Sequence, residues 1–91
     1  MKAIHCIIHG RVQGVGYRAW TAKNAQKLGL SGWVRNRTDG TVEAVFAGDD
    51  TIVDEMLDAC KKGPLAARVK QIDATKWTDE VKAEFTPLAT A

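Results

Sequence analysis

Leu30-Ser31-Gly32-Trp33-Val34-Arg35-Asn36-Arg37-Thr38-Asp39-Gly40-Thr41-Val42-Glu43-Ala44-Val45-Phe46-Ala47-Gly48 is the stretch whose reading decides the fold. Leu30 to Asn36 and Thr41 to Gly48 are strand-like runs. Asp39-Gly40 between them is a short-range hairpin signal, because these residues tolerate the backbone angles of a tight turn between twisted strands. The two strands are therefore expected to be antiparallel neighbours. That excludes a doubly wound nucleotide-binding sheet, in which the second strand leads into another parallel βα unit. The exclusion is needed because Gly14-Val15-Gly16-Tyr17-Arg18-Ala19 satisfies the dinucleotide pattern GxGxxG/A. A Walker A loop fails separately, since no Gly-Lys-Ser/Thr follows.

Upstream, Ala3 to Gly10 alternates Ile4, Cys6 and Ile8 against Ala3, His5, Ile7 and His9, the period of a strand with one wetter face. Tyr17 to Leu28 is rich in Ala, Lys and Gln, and Tyr17, Thr21, Ala25 and Leu28 share one helical face, with Gly29 placed to end it. Downstream, Asp49 and Asp50 can cap a second helix. In it Val53, Met56, Leu57 and Cys60 recur at helical spacing, Lys61 and Lys62 suit the negative end, and Gly63-Pro64 stops it. Val69 to Trp77 reads as a strand and Val81 to Phe85 as a short terminal one. The order strand, helix, strand, strand, helix, strand predicts an α+β, ferredoxin-like split βαβ sandwich. Its antiparallel sheet carries both helices on one face and leaves the other partly wet.

The chain has 91 residues, 45% hydrophobic and 26% charged, which suits one soluble domain spanning residues 1–91. No apolar run approaches the roughly 18 residues of a membrane helix, and no signal peptide is recognisable, so a cytoplasmic protein is expected. Cys6 and Cys60 each lie in an apolar pattern, as buried thiols do. Net charge is +2, but residues 1–48 carry seven Lys/Arg against two Asp/Glu, while residues 49–91 carry six against nine. The basic half lacks the dense stripe of a nucleic-acid binder and suits a compact anion better.

In the predicted topology the first and second strands flank the third and run parallel. Their carboxyl ends and the start of the first helix then meet at one sheet edge, bringing Gly16, Arg18 and Asn36 together across roughly 10 Å. Glycines around Gly14-Val15-Gly16 let successive N–H groups turn inward, and the helix adds its own free N–H groups and positive dipole end. Arg18 can add a planar guanidinium. The plainer alternative is a packing turn beside a solvated arginine.

Other chemistries fare worse. His5 and His9 share a strand face two alternations apart while Cys6 points the other way, a poor metal set. Ser31 has no His and carboxylate partners that would make it a nucleophile. Trp20, Trp33 and Trp77 lack the paired aromatic strands of an RNA-recognition sheet and read as core or rim packing. Asp54, Glu55 and Asp58 form a solvated helix face.

Gly10-Arg11-Val12-Gln13-Gly14-Val15-Gly16-Tyr17-Arg18 resembles the first signature of the acylphosphatase family. Gly32-Trp33-Val34-Arg35-Asn36 followed by Asp39-Gly40-Thr41-Val42-Glu43 resembles its second, and Gly63-Pro64 with Ala67-Arg68-Val69 its late loop and fourth strand. The similarity spans nearly the whole chain, although Thr86 to Ala91 departs from the pattern. It implies the same fold and hydrolysis of an acyl phosphate to a carboxylate and inorganic phosphate, with no metal or cofactor. By motif position, Arg18 corresponds to the phosphate-binding arginine and Asn36 to the water-positioning asparagine. Backbone N–H groups of Gln13, Gly14, Val15, Gly16, Tyr17 and Arg18 are expected to hold the phosphoryl oxygens. The expected partners are thus a small-molecule acyl phosphate and its phosphate product, with no nucleic acid and no membrane; a monomer is the default expectation, since the sequence identifies no exposed apolar stripe. A noncatalytic phosphate- or nucleotide-binding regulatory module and an RNA-binding module of related fold are the alternatives.

Overall fold

The computed structural model describes residues 1–91. Its elements are β1 (Lys2–Arg11), α1 (Tyr17–Lys27), β2 (Ser31–Asn36), β3 (Val42–Gly48), α2 (Asp50–Lys62), β4 (Arg68–Lys76) and β5 (Phe85–Pro87). The sheet order is β4-β1-β3-β2-β5. β1 pairs antiparallel with β3 and β4, and β2 pairs antiparallel with β3. β1 and β2 therefore run parallel on either side of β3, as the split βαβ reading requires.

The alternation read in β1 decides what is buried. Cys6 and Ile8 face the helices and are fully buried with Val34, Val42, Ala44 and Phe46 of the neighbouring strands. α1 covers β2 and β5, and α2 covers β1, β3 and β4, with Val53, Met56 and Cys60 of α2 completing the core. Each helix is closed as its sequence suggests. Asp49 caps α2 by accepting from the backbone N–H groups of Thr51 and Ile52 (3.0 and 3.3 Å). At the end of α1, Gly29 N–H donates to Gln26 and Leu30 N–H to Ala25 (3.1 and 3.0 Å), a paired C-terminal closure.

The other sheet face is less open than the alternation suggests. Val45 lies there, paired with His5 on one side and Trp33 on the other, and is completely buried. The Trp77 ring stacks on His5 (5.4 Å between centroids) and meets Trp33 edge-on (6.0 Å). Two of the three tryptophans thus build a small second core. Glu43 accepts from Arg35 and pairs with His5, each at 2.7 Å, and Arg35 lies over the Trp33 ring.

Two expectations need correction. The sheet is mixed, because β5 runs parallel to β2, with Gly32, Trp33 and Val34 opposite Phe85, Thr86 and Pro87. The terminal strand also starts where Val81 to Phe85 was expected to end. The cause of both is that β4 and β5 occupy opposite edges. The intervening chain must cross the sheet, and residues 77–84 are used in that crossing, with Ala83 and Glu84 carbonyls accepting from Ser31 and Gly32. Phe85 then stacks on Phe46 (5.5 Å) in the core. Pro87 is tolerated because it sits on an edge strand, and the pairing continues beyond it as Leu88 N–H donates to Val34 at 2.8 Å.

Candidate active site

The last residue of β1 paired with β3 is Ile8, opposite Val42. Beyond a register shift at His9/Gly10, buried Val12 pins the chain to the core, and Gln13 to Gly16 turn into α1. Gly14 and Gly16 have φ of 74° and 79°. A Cβ at either would meet nothing within 4 Å, so the backbone angle rather than crowding calls for glycine. Gly16 is the N-cap of α1 and supplies no capping side chain, and no acidic residue occupies the first turn. The backbone N–H groups from Gln13 to Ala19 also have no backbone acceptor, the first such bond of the helix being donated by Trp20 to Gly16. They form a continuous run of donors at the positive end of a helix dipole.

Arg18 lies in the first turn of that helix. Its guanidinium donates from Nη1 to the Leu88 carbonyl at 3.1 Å, which leaves its other N–H groups for a ligand. Asn36 ends β2 on the same side as Val34, facing the helices. Its Oδ1 is buried and without a hydrogen-bond partner in the chain, an arrangement that costs free energy unless something is bound there. Gln13, Gly14, Gly16, Arg18 and Asn36 line a single depression of about 220 Å³, completed by Val12, Tyr17 and Ala19. The convergence of Gly16, Arg18 and Asn36 expected from topology is thus present. Its walls are donors to an anion plus one amide.

Three of the residues expected to bind through the loop have side chains engaged elsewhere. Val15 does not line the depression and packs against the core. Tyr17 buries its ring and donates from Oη to the Cys60 carbonyl at 2.6 Å, and burial raises its phenol far above the ordinary range. Gln13 contributes its backbone to the loop, but its side chain turns away to the β2–β3 hairpin, donating to the carbonyls of Arg37 and Thr41 at 2.7 and 2.8 Å.

Residues 4–87 match the family model described as Acylphosphatase. The chain belongs to the acylphosphatase family. It is 62% identical over 68 residues to an acylphosphatase of Rhodopseudomonas palustris, covering 75% of this chain and 69% of that one. It is 53% identical over 87 residues to an acylphosphatase of Azorhizobium caulinodans, covering 96% and 87%. The crystal structure of acylphosphatase from Bacillus subtilis superposes with a TM-score of 0.92 at 35% identity, covering 97% of this chain and 99% of the other.

Within this acylphosphatase fold, two contacts at the site have no local sequence signal. The Leu88 carbonyl reaches Arg18 only because the tail follows β2 toward the site, with Ala91 N–H donating to the Asn36 carbonyl at 3.0 Å. The Gln13 amide was legible as part of a motif, but its side-chain partners lie across the sheet edge. His5 and His9 lie on the opposite face from Cys6, held by Glu43 (2.7 Å) and Asp73 (2.9 Å).

Proposed function

We infer that the chain hydrolyses the carboxyl–phosphate bond of acyl phosphates, releasing a carboxylate and inorganic phosphate. The observation that carries this reading is the meeting of three groups at one depression. They are the run of free N–H groups after β1, the Arg18 guanidinium, and the unpartnered Oδ1 of Asn36. The N–H groups take the phosphoryl oxygens, and Arg18 neutralises the charge that spreads over them in the transition state. Asn36 Oδ1 accepts from the attacking water and aims its lone pair at phosphorus, opposite the leaving carboxylate. A carboxylate leaves without being protonated, so the site needs no general acid. The water's proton passes to a phosphoryl oxygen of the substrate. Catalysis is then mostly positioning and charge stabilisation.

A purely binding module would use the N–H groups and Arg18 and would not call for a buried acceptor at Asn36 Oδ1. The reading extends to a cytoplasmic monomer. The large exposed apolar side chains are Met1, Leu65 and Leu88, and no helix is long and apolar enough to cross a membrane. Cys6 and Cys60 are free and buried, and burial pushes both thiols up to about 12.

The test is hydrolysis of benzoyl phosphate in ¹⁸O-enriched water with a chelator present. Label in the inorganic phosphate and none in the benzoate is expected, because water attacks phosphorus. Label in the benzoate would place the attack on carbonyl carbon and overturn the assigned geometry.

A further inference from the structure

We propose that Gln13 is a positioning residue whose side-chain amide sets the location of Asn36 relative to the phosphate-binding loop. The proposal rests on the reading of Asn36 as the group that holds the attacking water.

The loop and Asn36 come from different strands that do not touch, since β3 lies between β1 and β2. The β1–β3 pairing stops at Ile8 and Val42, while the β2–β3 pairing runs to Asn36 and the same Val42. Past these points the sheet ladder no longer fixes one side of the site against the other. Gln13 spans that gap. One Nε2 donates to both the Arg37 and the Thr41 carbonyl, at 2.7 and 2.8 Å. Both partners are acceptors, so only the NH₂ end of the amide can face them. Arg37 directly follows Asn36 and faces Thr41 across the neck of the hairpin. A planar group bonded to both carbonyls fixes the tilt of the neck as well as its distance.

The hairpin does not need this amide in order to close. Arg37 N–H already donates to the Thr41 carbonyl at 2.9 Å and Gly40 N–H to the Arg37 carbonyl at 3.1 Å. Asp39 also accepts from Thr41 through its backbone N–H and Oγ1, at 3.0 and 2.6 Å. Gln13 supplies a second donor to carbonyls that are already engaged, and its effect is to join two elements that are each formed without it. Removing the amide should therefore displace Asn36 while leaving the N–H cradle and Arg18 as they are. Misplacing a reacting group by about 1 Å can cost up to roughly a hundredfold in rate.

The experiment compares wild type, Gln13→Met, Asn36→Ala and the double variant. The readouts are kcat with benzoyl phosphate, inhibition by inorganic phosphate, and thermal unfolding to confirm that each is folded. Gln13→Met keeps side-chain length without donors. It should lower kcat by about ten- to a hundredfold and shift the phosphate inhibition constant by no more than about twofold, since bound phosphate is held chiefly by the N–H cradle and Arg18, which the substitution leaves in place. In the Asn36→Ala background it should cost almost nothing further, because the group it positions is gone. Gln13→Asn, too short to reach both carbonyls, serves as a second variant and should behave as Gln13→Met. Phosphate affinity falling in step with kcat, or a full additional loss in the double variant, would overturn the proposal by showing that Gln13 supports the loop. Wild-type kcat in folded Gln13→Met beside a crippled Asn36→Ala would overturn the proposal alone. Wild-type kcat in Asn36→Ala would overturn the reading of Asn36 and the proposal with it.

Discussion

Tyr17 Oη donates to the Cys60 carbonyl at 2.6 Å in the core, joining the first residue of the helix that follows the glycine loop to the last turn of the other helix. The hydroxyl is engaged in the core by this bond rather than in the depression. Tyr17→Phe is expected to destabilise the fold by about 1–2 kcal/mol, the cost of leaving a buried carbonyl without that donor, and to leave kcat close to wild type. Urea denaturation beside benzoyl phosphate turnover checks this. A large kcat loss at unchanged stability would mean that the phenol acts in the reaction.

Two glycines with positive φ should fail for different reasons. At Gly32 (φ 132°) a Cβ would overlap the backbone carbonyl oxygen of Val45, which belongs to the adjacent strand and cannot swing aside. Gly32→Ala should cost at least about 3 kcal/mol. At Gly16 (φ 79°) a Cβ meets nothing within 4 Å, so Gly16→Ala carries only the left-handed strain of about 1–2 kcal/mol. Gly16→Ala should nonetheless lose more activity per unit of stability, because relaxing that strain re-aims the loop N–H groups. Melting temperatures and phosphate inhibition constants separate the two cases.

Much of this was legible in the sequence. The Asp39-Gly40 turn fixed β2 beside β3, the alternation of β1 identified Cys6 and Ile8 as core, and the i, i+3, i+4, i+7 spacing of α2 found Val53, Met56 and Cys60. These are local periodicities, which burial enforces on one face at a time. The juxtaposition of Arg18 with Asn36 followed from topology alone. What stayed hidden depended on contacts distant in sequence. The terminal strand was misplaced because Val81 to Glu84 carries a strand-like alternation but is consumed in crossing the sheet. Trp77 packs on His5 and Trp33 only because that crossing starts over the otherwise open face. The Gln13 side chain turned to the hairpin because two carbonyls wait there, and no pattern around Gln13 records them.

Acid should weaken the fold through Glu43. Burial alone would raise its carboxyl, but the bonds from His5 and Arg35, with their charges, more than offset this and hold it below its ordinary value of 4.5. A depressed folded value means that the stabilisation is complete above the unfolded value and is lost as pH falls through the folded one. Stability should thus decline below pH 4.5, and Glu43→Gln should flatten that part of the curve while lowering stability at neutral pH. Denaturation midpoints across the acid range measure it. A variant with wild-type acid sensitivity would mean that other carboxylates govern it.

The central claim is that one depression divides its labour, with Arg18 binding the phosphoryl group and Asn36 directing water. The most direct measurement is kcat for benzoyl phosphate together with the inhibition constant of inorganic phosphate, for wild type, Arg18→Ala and Asn36→Ala. Arg18→Ala should lose phosphate affinity and turnover together, on the order of a hundredfold or more in kcat/KM for a removed transition-state donor. Asn36→Ala should lose kcat on a similar scale while phosphate still binds nearly as in wild type. Near-normal kcat in Asn36→Ala, or undiminished phosphate binding in Arg18→Ala, would contradict the account.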